Sequence, residues 1–200
     1  LHRADFSELK PESFNVDGQI FRYKNYKDLR ISLLGEHQTA NAAVAIETIE
    51  ILNNKGFSIS ESDIREGLTN TRWPGRLEVL NKDPVFLIDG AHNPQGAMVL
   101  RDALNKYFPD KEKIFIVGIL KDKDYKAVIE TIAPIASCFI TVTPRSERAL
   151  PAAELGKFIE TCCKNVSVSD TIEEAVYASL KFSKENSIIC AFGSLYYIGE

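Results

Sequence analysis

Asp89-Gly90-Ala91-His92-Asn93-Pro94 follows directly on the apolar run Val85-Phe86-Leu87-Ile88. Four apolar, partly β-branched residues have the length of a buried strand. A glycine and a proline set among a carboxylate, an imidazole and an amide cannot continue that strand. In an open α/β sheet, groups at the carboxyl end of a strand point into the crevice where ligands bind. Thirteen residues before Asp89 stands Arg76, closing Trp73-Pro74-Gly75-Arg76. An arginine, an aspartate, a histidine and an asparagine at one strand end suggest phosphate or nucleotide chemistry.

The elements around these residues fall into two groups. Phe6, Leu9 and Phe14, then Ile20-Phe21-Arg22-Tyr23, read as short strands with a turn at Asp17-Gly18. Residues 29–34 alternate and stop at Gly35, a further strand, and the stretch 35–41 leads into a helix. That helix carries Ala42, Ala45, Ile46, Ile49 and Leu52 at helical spacing and ends at Gly56. Ser60 and Asp63 form a capping box for a second helix bearing Ile64 and Leu68. The connector from Thr69 to Gly75 marks the domain boundary, giving domains 1–74 and 75–200.

Beyond the connector, strands are expected at 85–88, 114–118, 138–142, 166–168 and 188–192. Helical patterns at about 95–107, 124–133, 152–163 and 172–183 separate them. Strand and helix alternating at this spacing mean a Rossmann-like α/β fold with a mainly parallel sheet. The strands are apolar throughout, as when helices cover both faces.

Every strand end in this region is polar. Asp89–Asn93, Lys121-Asp122-Lys123-Asp124, Pro144-Arg145-Ser146-Glu147-Arg148 and Gly193-Ser194-Leu195-Tyr196 should share one sheet edge. An edge so rich in Lys, Arg and Asp suits an anionic, polyphosphate or amino-acid ligand. Each group also has a plainer reading. Asp89 would cap the helix near Gln95, and His92 would be a loop histidine bonded to backbone. Lys121–Asp124 would be a solvated loop and cap, Gly193-Ser194 a turn, and Arg76 a surface residue. No G-x-x-x-x-G-K-[ST] loop and no G-x-G-x-x-G occurs, so a nucleotide would be held mainly by groups outside this sequence.

Composition narrows the class further. Hydrophobic content of 44% and charged content of 26% are ordinary for a soluble globular chain. A net charge of −4 disfavours bulk nucleic-acid binding. The apolar runs are too short to span a membrane, and no signal peptide opens the chain. Cys138, Cys162, Cys163 and Cys190 lack metal-ligand spacing and read as reduced thiols packed in a cytosolic core. A cytoplasmic monomer is expected. The chain opens on Leu1, and its first thirty residues look like the middle of something, which suggests a fragment.

Five motifs, taken in order, carry a resemblance. They are Gly35-x-His37-Gln38-x-x-Asn41-Ala42, Trp73-Pro74-Gly75-Arg76-Leu77-Glu78, Asp89–Pro94, Lys121–Asp124 and Gly193-Ser194-Leu195-Tyr196. Together they resemble the C-terminal half of folylpolyglutamate synthase / dihydrofolate synthase, a branch of the Mur ligase superfamily. Arg148-Ala149-Leu150-Pro151 also looks like that family's loop, with extra residues before Arg148. The likeness spans nearly all of residues 30–199.

The resemblance implies the tail of a central ATPase domain followed by a whole C-terminal Rossmann-like domain. The P-loop, magnesium ligands and most of the pterin site are then expected outside this sequence, so the fragment alone would be inactive. The implied chemistry is ATP-dependent amide formation: a carboxylate is activated as an acyl phosphate, and the amino group of L-glutamate attacks it. Asn41, Arg76 and Asp89 look like ATP contacts, on the purine edge, the phosphate oxygens and the ribose hydroxyls respectively. His92 resembles a residue needed for activity, through phosphate contact or by organising an interdomain cleft. Ser194, with Tyr196 beside it, resembles part of the glutamate site. Mg²⁺ is implied as cofactor with ATP, with no metal ligand in this chain; folate or dihydropteroate is the implied acceptor. Two competing readings are another Mur-type amino-acid ligase and a non-catalytic Rossmann-like module that binds a nucleotide or amino acid.

Overall fold

A computed structural model describes residues 2–199. The chain forms two compact units, Leu1–Pro74 and Gly75–Glu200.

In the first unit, β1 (Leu9–Asn15), β2 (Gly18–Tyr23) and β3 (Tyr26–Ile31) make an antiparallel sheet in that order. The two helices α1 (Glu36–Asn54) and α2 (Glu61–Asn70) complete the unit. Phe21, Tyr23, Leu29 and Ile31 alternate along β2 and β3 and pack with Ala42, Ala43, Ile46, Ile64 and Leu68. The period of two on the strands meets the period near 3.6 on the helices, and one apolar core results. Ser60 caps α2 with the expected reciprocal bond to Asp63.

Two expectations in this unit need correction. The third strand stops at Ile31, and α1 begins at Glu36 rather than after Asn41. The N-cap of α1 is Gly35, which offers no side-chain acceptor, so the usual start signal is missing. The buried Gln19 amide instead donates to the Leu33 and Gly35 carbonyls at 2.8 and 2.9 Å and fixes the entry to the helix.

The second unit holds a six-stranded sheet ordered β4-β5-β9-β6-β7-β8. These strands are β4 (Glu78–Lys82), β5 (Val85–Asp89), β6 (Glu112–Val117), β7 (Cys138–Thr141), β8 (Val166–Val168) and β9 (Ser187–Phe192). Between them run α3 (Pro94–Tyr107), α4 (Tyr125–Ile132), α5 (Ala152–Ile159) and α6 (Ile172–Phe182). All pairings are parallel except β4 with β5. The mainly parallel α/β fold read from the sequence is therefore the one observed. On one sheet face Ile88, Ile114, Ile116, Ile140 and Ile189 pack with Ala175 of α6. Side chains of opposite parity fill the other face, where Phe115 stacks on Phe139 and meets Phe192 edge-on.

Strand β4 is the element sequence reading did not anticipate. Glu78-Val79-Leu80-Asn81-Lys82 lies at the sheet edge, half-buried to exposed, so it carries no run of apolar residues. Helix α5 also ends at Ile159, short of 163, and Cys162 is exposed rather than packed inside. Among the described residues no helix is long and apolar enough to cross a membrane.

Strand β9 lies between β5 and β6, although the chain reaches β6 directly from β5 through α3. The loops leaving β5, β6 and β9 therefore diverge at a topological switch point, where a crevice opens. Register places Asp89 beside Phe192, Phe192 beside Val117, and Val117 beside Thr141. Their four following loops emerge together.

Candidate functional site

The turn that carries Arg76 is built on unusual backbone. Gly75 has φ +72° and Leu77 φ +44°, a region a branched side chain rarely adopts. Two carboxylates hold it there. Glu78 Oε2 accepts from the Gly75 amide at 2.8 Å, and Asp89 Oδ2 accepts from the Leu77 amide at 2.8 Å. The other Asp89 oxygen accepts from the Ala91 amide at 2.8 Å. Gly90 N–H donates to the Gly75 carbonyl at 2.7 Å, locking turn and strand end together. A Cβ on Gly90 would stand 2.7 Å from Leu195 Cδ2 and 3.2 Å from an Arg76 guanidinium nitrogen, so the glycine leaves room for both side chains. Asp89 thus holds the backbone of the turn that carries Arg76. It does not cap α3; Asn93 does, accepting from Gly96 N at 2.7 Å with Pro94 at the first helical position.

His92 Nδ1 lies 2.8 Å from the Gly90 carbonyl. A carbonyl can only accept, so Nδ1 carries the proton and Nε2 is left for a ligand. The plain reading of His92 as a backbone-bonded loop histidine is thus observed, and that bond leaves the far side of the ring open.

At the end of β9 the chain turns through Gly193, whose φ is +115°. A Cβ there would come within 2.6 Å of the Gly118 carbonyl, so only glycine lets the loops after β9 and β6 meet this closely. Ser194 follows, 3% exposed, its Oγ accepting from Tyr196 N at 3.2 Å. Tyr196 is exposed, while the Tyr197 hydroxyl is buried and reaches the Phe192 and Ile116 carbonyls. Burial pushes the Tyr197 phenol well above its ordinary pKa.

The loops after β6 and β7 are stitched to each other. Leu120 bridges Ala149, Lys121 N–H donates to the Arg148 carbonyl at 2.8 Å, and Leu150 N–H donates to the Ile119 carbonyl at 2.9 Å. Arg148 Nε and Nη2 donate to both oxygens of Asp122, at 3.1 and 2.5 Å. That bidentate contact holds the Asp122 carboxyl below the usual carboxylate range.

A cavity of about 210 Å³ opens among these strand ends, lined by His92, Leu120, Lys123, Arg148, Ser194 and Tyr196 with their neighbours. Three residues singled out from sequence, His92, Ser194 and Tyr196, are therefore brought together. Arg76 and Asp89 stand at the same β5 end, on the turn described above. Asn41 belongs to the first unit, exposed on the second turn of α1, where its amide donates to Gln38 Oε1 at 3.1 Å. In the sequence Lys123, Asp122 and Arg148 stand among the polar strand ends and the motifs of the resemblance, but not among the site residues expected there. Opposite charges in loops that follow neighbouring parallel strands were the signal available for pairing them. Among the described residues no group of three or more His, Cys, Asp or Glu side chains is placed to hold a metal ion.

Comparison with known proteins gives a consistent set. Residues 75–195 match the model of the family described as Mur ligase, glutamate ligase domain. The chain is 35% identical over 185 residues to the folylpolyglutamate synthase of Lacticaseibacillus casei, covering 90% of this chain and 42% of that protein. It is 32% identical over 210 residues to the dihydrofolate synthase/folylpolyglutamate synthase of Bacillus subtilis, covering all of this chain and 48% of the relative. The folylpolyglutamate synthase of Mycobacterium tuberculosis complexed with ADP superposes with a TM-score of 0.85 at 24% identity, covering 96% of this chain and 46% of that one. The chain thus spans about half the length of the relatives it matches.

Proposed function

The chain belongs to the Mur ligase family through its glutamate ligase domain, and from that premise we propose that it serves an ATP-dependent amide ligase adding L-glutamate to a folate or dihydropteroate carboxylate. What carries this reading is the convergence, at one sheet edge, of a held arginine, an imidazole with a free nitrogen, a buried hydroxyl and two further cations. Such an edge suits an anionic substrate and a transferring phosphoryl group. The names of the relatives point the same way.

Bound ATP would supply the phosphoryl group that makes the acceptor carboxylate an acyl phosphate. Arg76 is the proposed fork for phosphate oxygens, a task its planar donors fit. Asp89 holds the turn that carries Arg76 and is the proposed contact for the ribose hydroxyls, on the resemblance of its motif. Asn41 is the proposed contact for the purine edge, on the resemblance of its motif. His92 Nε2 is the proposed phosphate contact within the cavity. Ser194, with Tyr196, is assigned to the incoming glutamate, whose amino group displaces phosphate from the acyl carbon. No magnesium ligand is assigned within this chain.

The test is phosphate release by the full-length protein with ATP and either dihydropteroate or tetrahydrofolate, with and without glutamate. Release that depends on both acceptor and glutamate is expected, and the acceptor used tells which of the two activities is present. Arg76→Ala should lower turnover roughly a hundredfold, the scale for removing a preorganised cationic donor, while the unfolding midpoint stays put. Wild-type turnover in that variant would refute the role given to Arg76.

A further inference from the structure

Resting on the ligase reading above, we propose that Arg148, aimed by Asp122, reads the side-chain carboxylate of the incoming amino acid and sets the preference for a dicarboxylic one. The stitching of the loops after β6 and β7 fixes the Arg148 backbone at the cavity rim. Asp122 takes the Nε–Nη2 edge of the guanidinium, which leaves the remaining Nη1 edge to address a ligand. Lys123 lies 3.6 Å from the same carboxylate, so Asp122 sits between two cations.

The cavity lining includes both a buried hydroxyl and an exposed cation. Ser194 is 3% exposed, and its Oγ already accepts from Tyr196 N, so its own proton is free to donate. The Arg148 side chain is 55% exposed. In an α-amino acid the amino group and the α-carboxylate share one carbon and must be held at one end. A second carboxylate then extends several bonds away, where a rim cation can reach it. Fixing one guanidinium edge on Asp122 lowers the conformational entropy lost when the other edge binds.

The pairing makes a distinctive prediction for variants of the full-length enzyme. Arg148→Ala leaves the Asp122 carboxylate beside the cavity rim with only Lys123 to offset its charge. Glutamate KM should rise tenfold or more, the scale for losing a charge-assisted hydrogen bond, with kcat within about twofold. The kcat/KM preference for glutamate over glutamine should fall by the same factor. Adding Asp122→Asn removes the repulsion and should recover roughly threefold of the lost KM, a rescue that loop clamping alone cannot give. Arg148→Lys, which keeps charge but not the fork, should fall between wild type and Arg148→Ala. Equal shifts for glutamate and glutamine, or no rescue by Asp122→Asn, would overturn the proposal. So would loss of folding in both Arg148 variants, which would make the pair structural. A wild-type enzyme with no glutamate-dependent phosphate release would instead bring down the ligase reading itself.

Discussion

Asp89 shows how a side chain that looks like a ligand contact in the sequence can serve as an anchor in the structure. Its two oxygens accept the Leu77 and Ala91 amides, and the first of these secures a leucine at φ +44°. Backbone in that region persists only where surrounding contacts over-determine it. In Asp89→Asn the amide keeps one acceptor and points an N–H at the other backbone donor. A charge-assisted hydrogen bond is then lost, which should cost about 1.5–3 kcal/mol in urea unfolding of the chain. An unchanged midpoint would mean that the turn does not rest on Asp89. The sequence supplied the residue types and their order at this strand end. It could not supply the amide partners, since those depend on how the Gly75–Glu78 turn folds back beside β5. The same limit explains why Asn93, rather than Asp89, caps α3: both residue types suit a cap, and only the path of the loop chooses between them.

At the scale of elements, the parallel sheet was legible because its strands are short, apolar and evenly spaced by amphipathic helices. Strand β4 was not, because an edge strand paired on one side needs no apolar run. The start of α1 was missed for a different reason, its cap being a glycine whose loop is held from a distance by Gln19. The cavity was legible only as a list of strand ends, since sequence does not give the strand order that inserts β9 between β5 and β6. What allows that insertion at the loop end is the contact of Gly193 with Gly118. In Gly193→Ala a Cβ at φ +115° would meet the Gly118 carbonyl oxygen at 2.6 Å and the Ile119 side chain at 2.8 Å, and the first of these is backbone that cannot yield. The strain should cost about 2 kcal/mol or more and displace Ser194, so stability and glutamate KM should worsen together. Gly56→Ala is the control: that glycine also has positive φ, +97°, but nothing lies within 4 Å of the added Cβ. Its cost should therefore stay near 1 kcal/mol. Equal losses at the two sites would show that conformation alone, and not the close approach of β9 to β6, governs position 193.

For the whole molecule, acid sensitivity should reside in the first unit. Glu47 of α1 is 4% exposed and is met by the Tyr23 hydroxyl at 2.7 Å, by His2 Nε2 at 2.6 Å and by the Lys24 ammonium. Burial by itself would raise the carboxyl pKa, but the hydrogen bonds from Lys24, Tyr23 and His2 outweigh it and hold the group down at about 2, from an ordinary 4.5. A carboxyl depressed on folding adds stability that is fully present above its unfolded value and disappears as pH falls through the folded one. The window is therefore pH 4.5 down to about 2, and the amount at stake is about 3 kcal/mol. Tyr23 and Lys24 act in the opposite sense. Burial first, and then the Glu47 hydrogen bond, push the phenol up to about 12, while Lys24 is raised chiefly by its bond to Glu47. Their contributions are present below the ordinary values and decline as pH climbs through the raised ones. The first unit should accordingly hold a stability plateau from about pH 5 to 10, falling on both sides. Urea unfolding at pH 6 and pH 2.5 should show Glu47→Gln less stable than wild type at pH 6, with the gap narrowed by roughly 2.5 kcal/mol at pH 2.5. Hydrogen exchange at pH 2.5 should show α1 amides losing protection before those of the central residues 114–117 of β6 and 188–192 of β9, which carry no acidic side chain. A gap between variant and wild type that stays constant with pH would mean that Glu47 is protonated alike in the folded and unfolded chain, and the acid lability would then belong to other carboxylates.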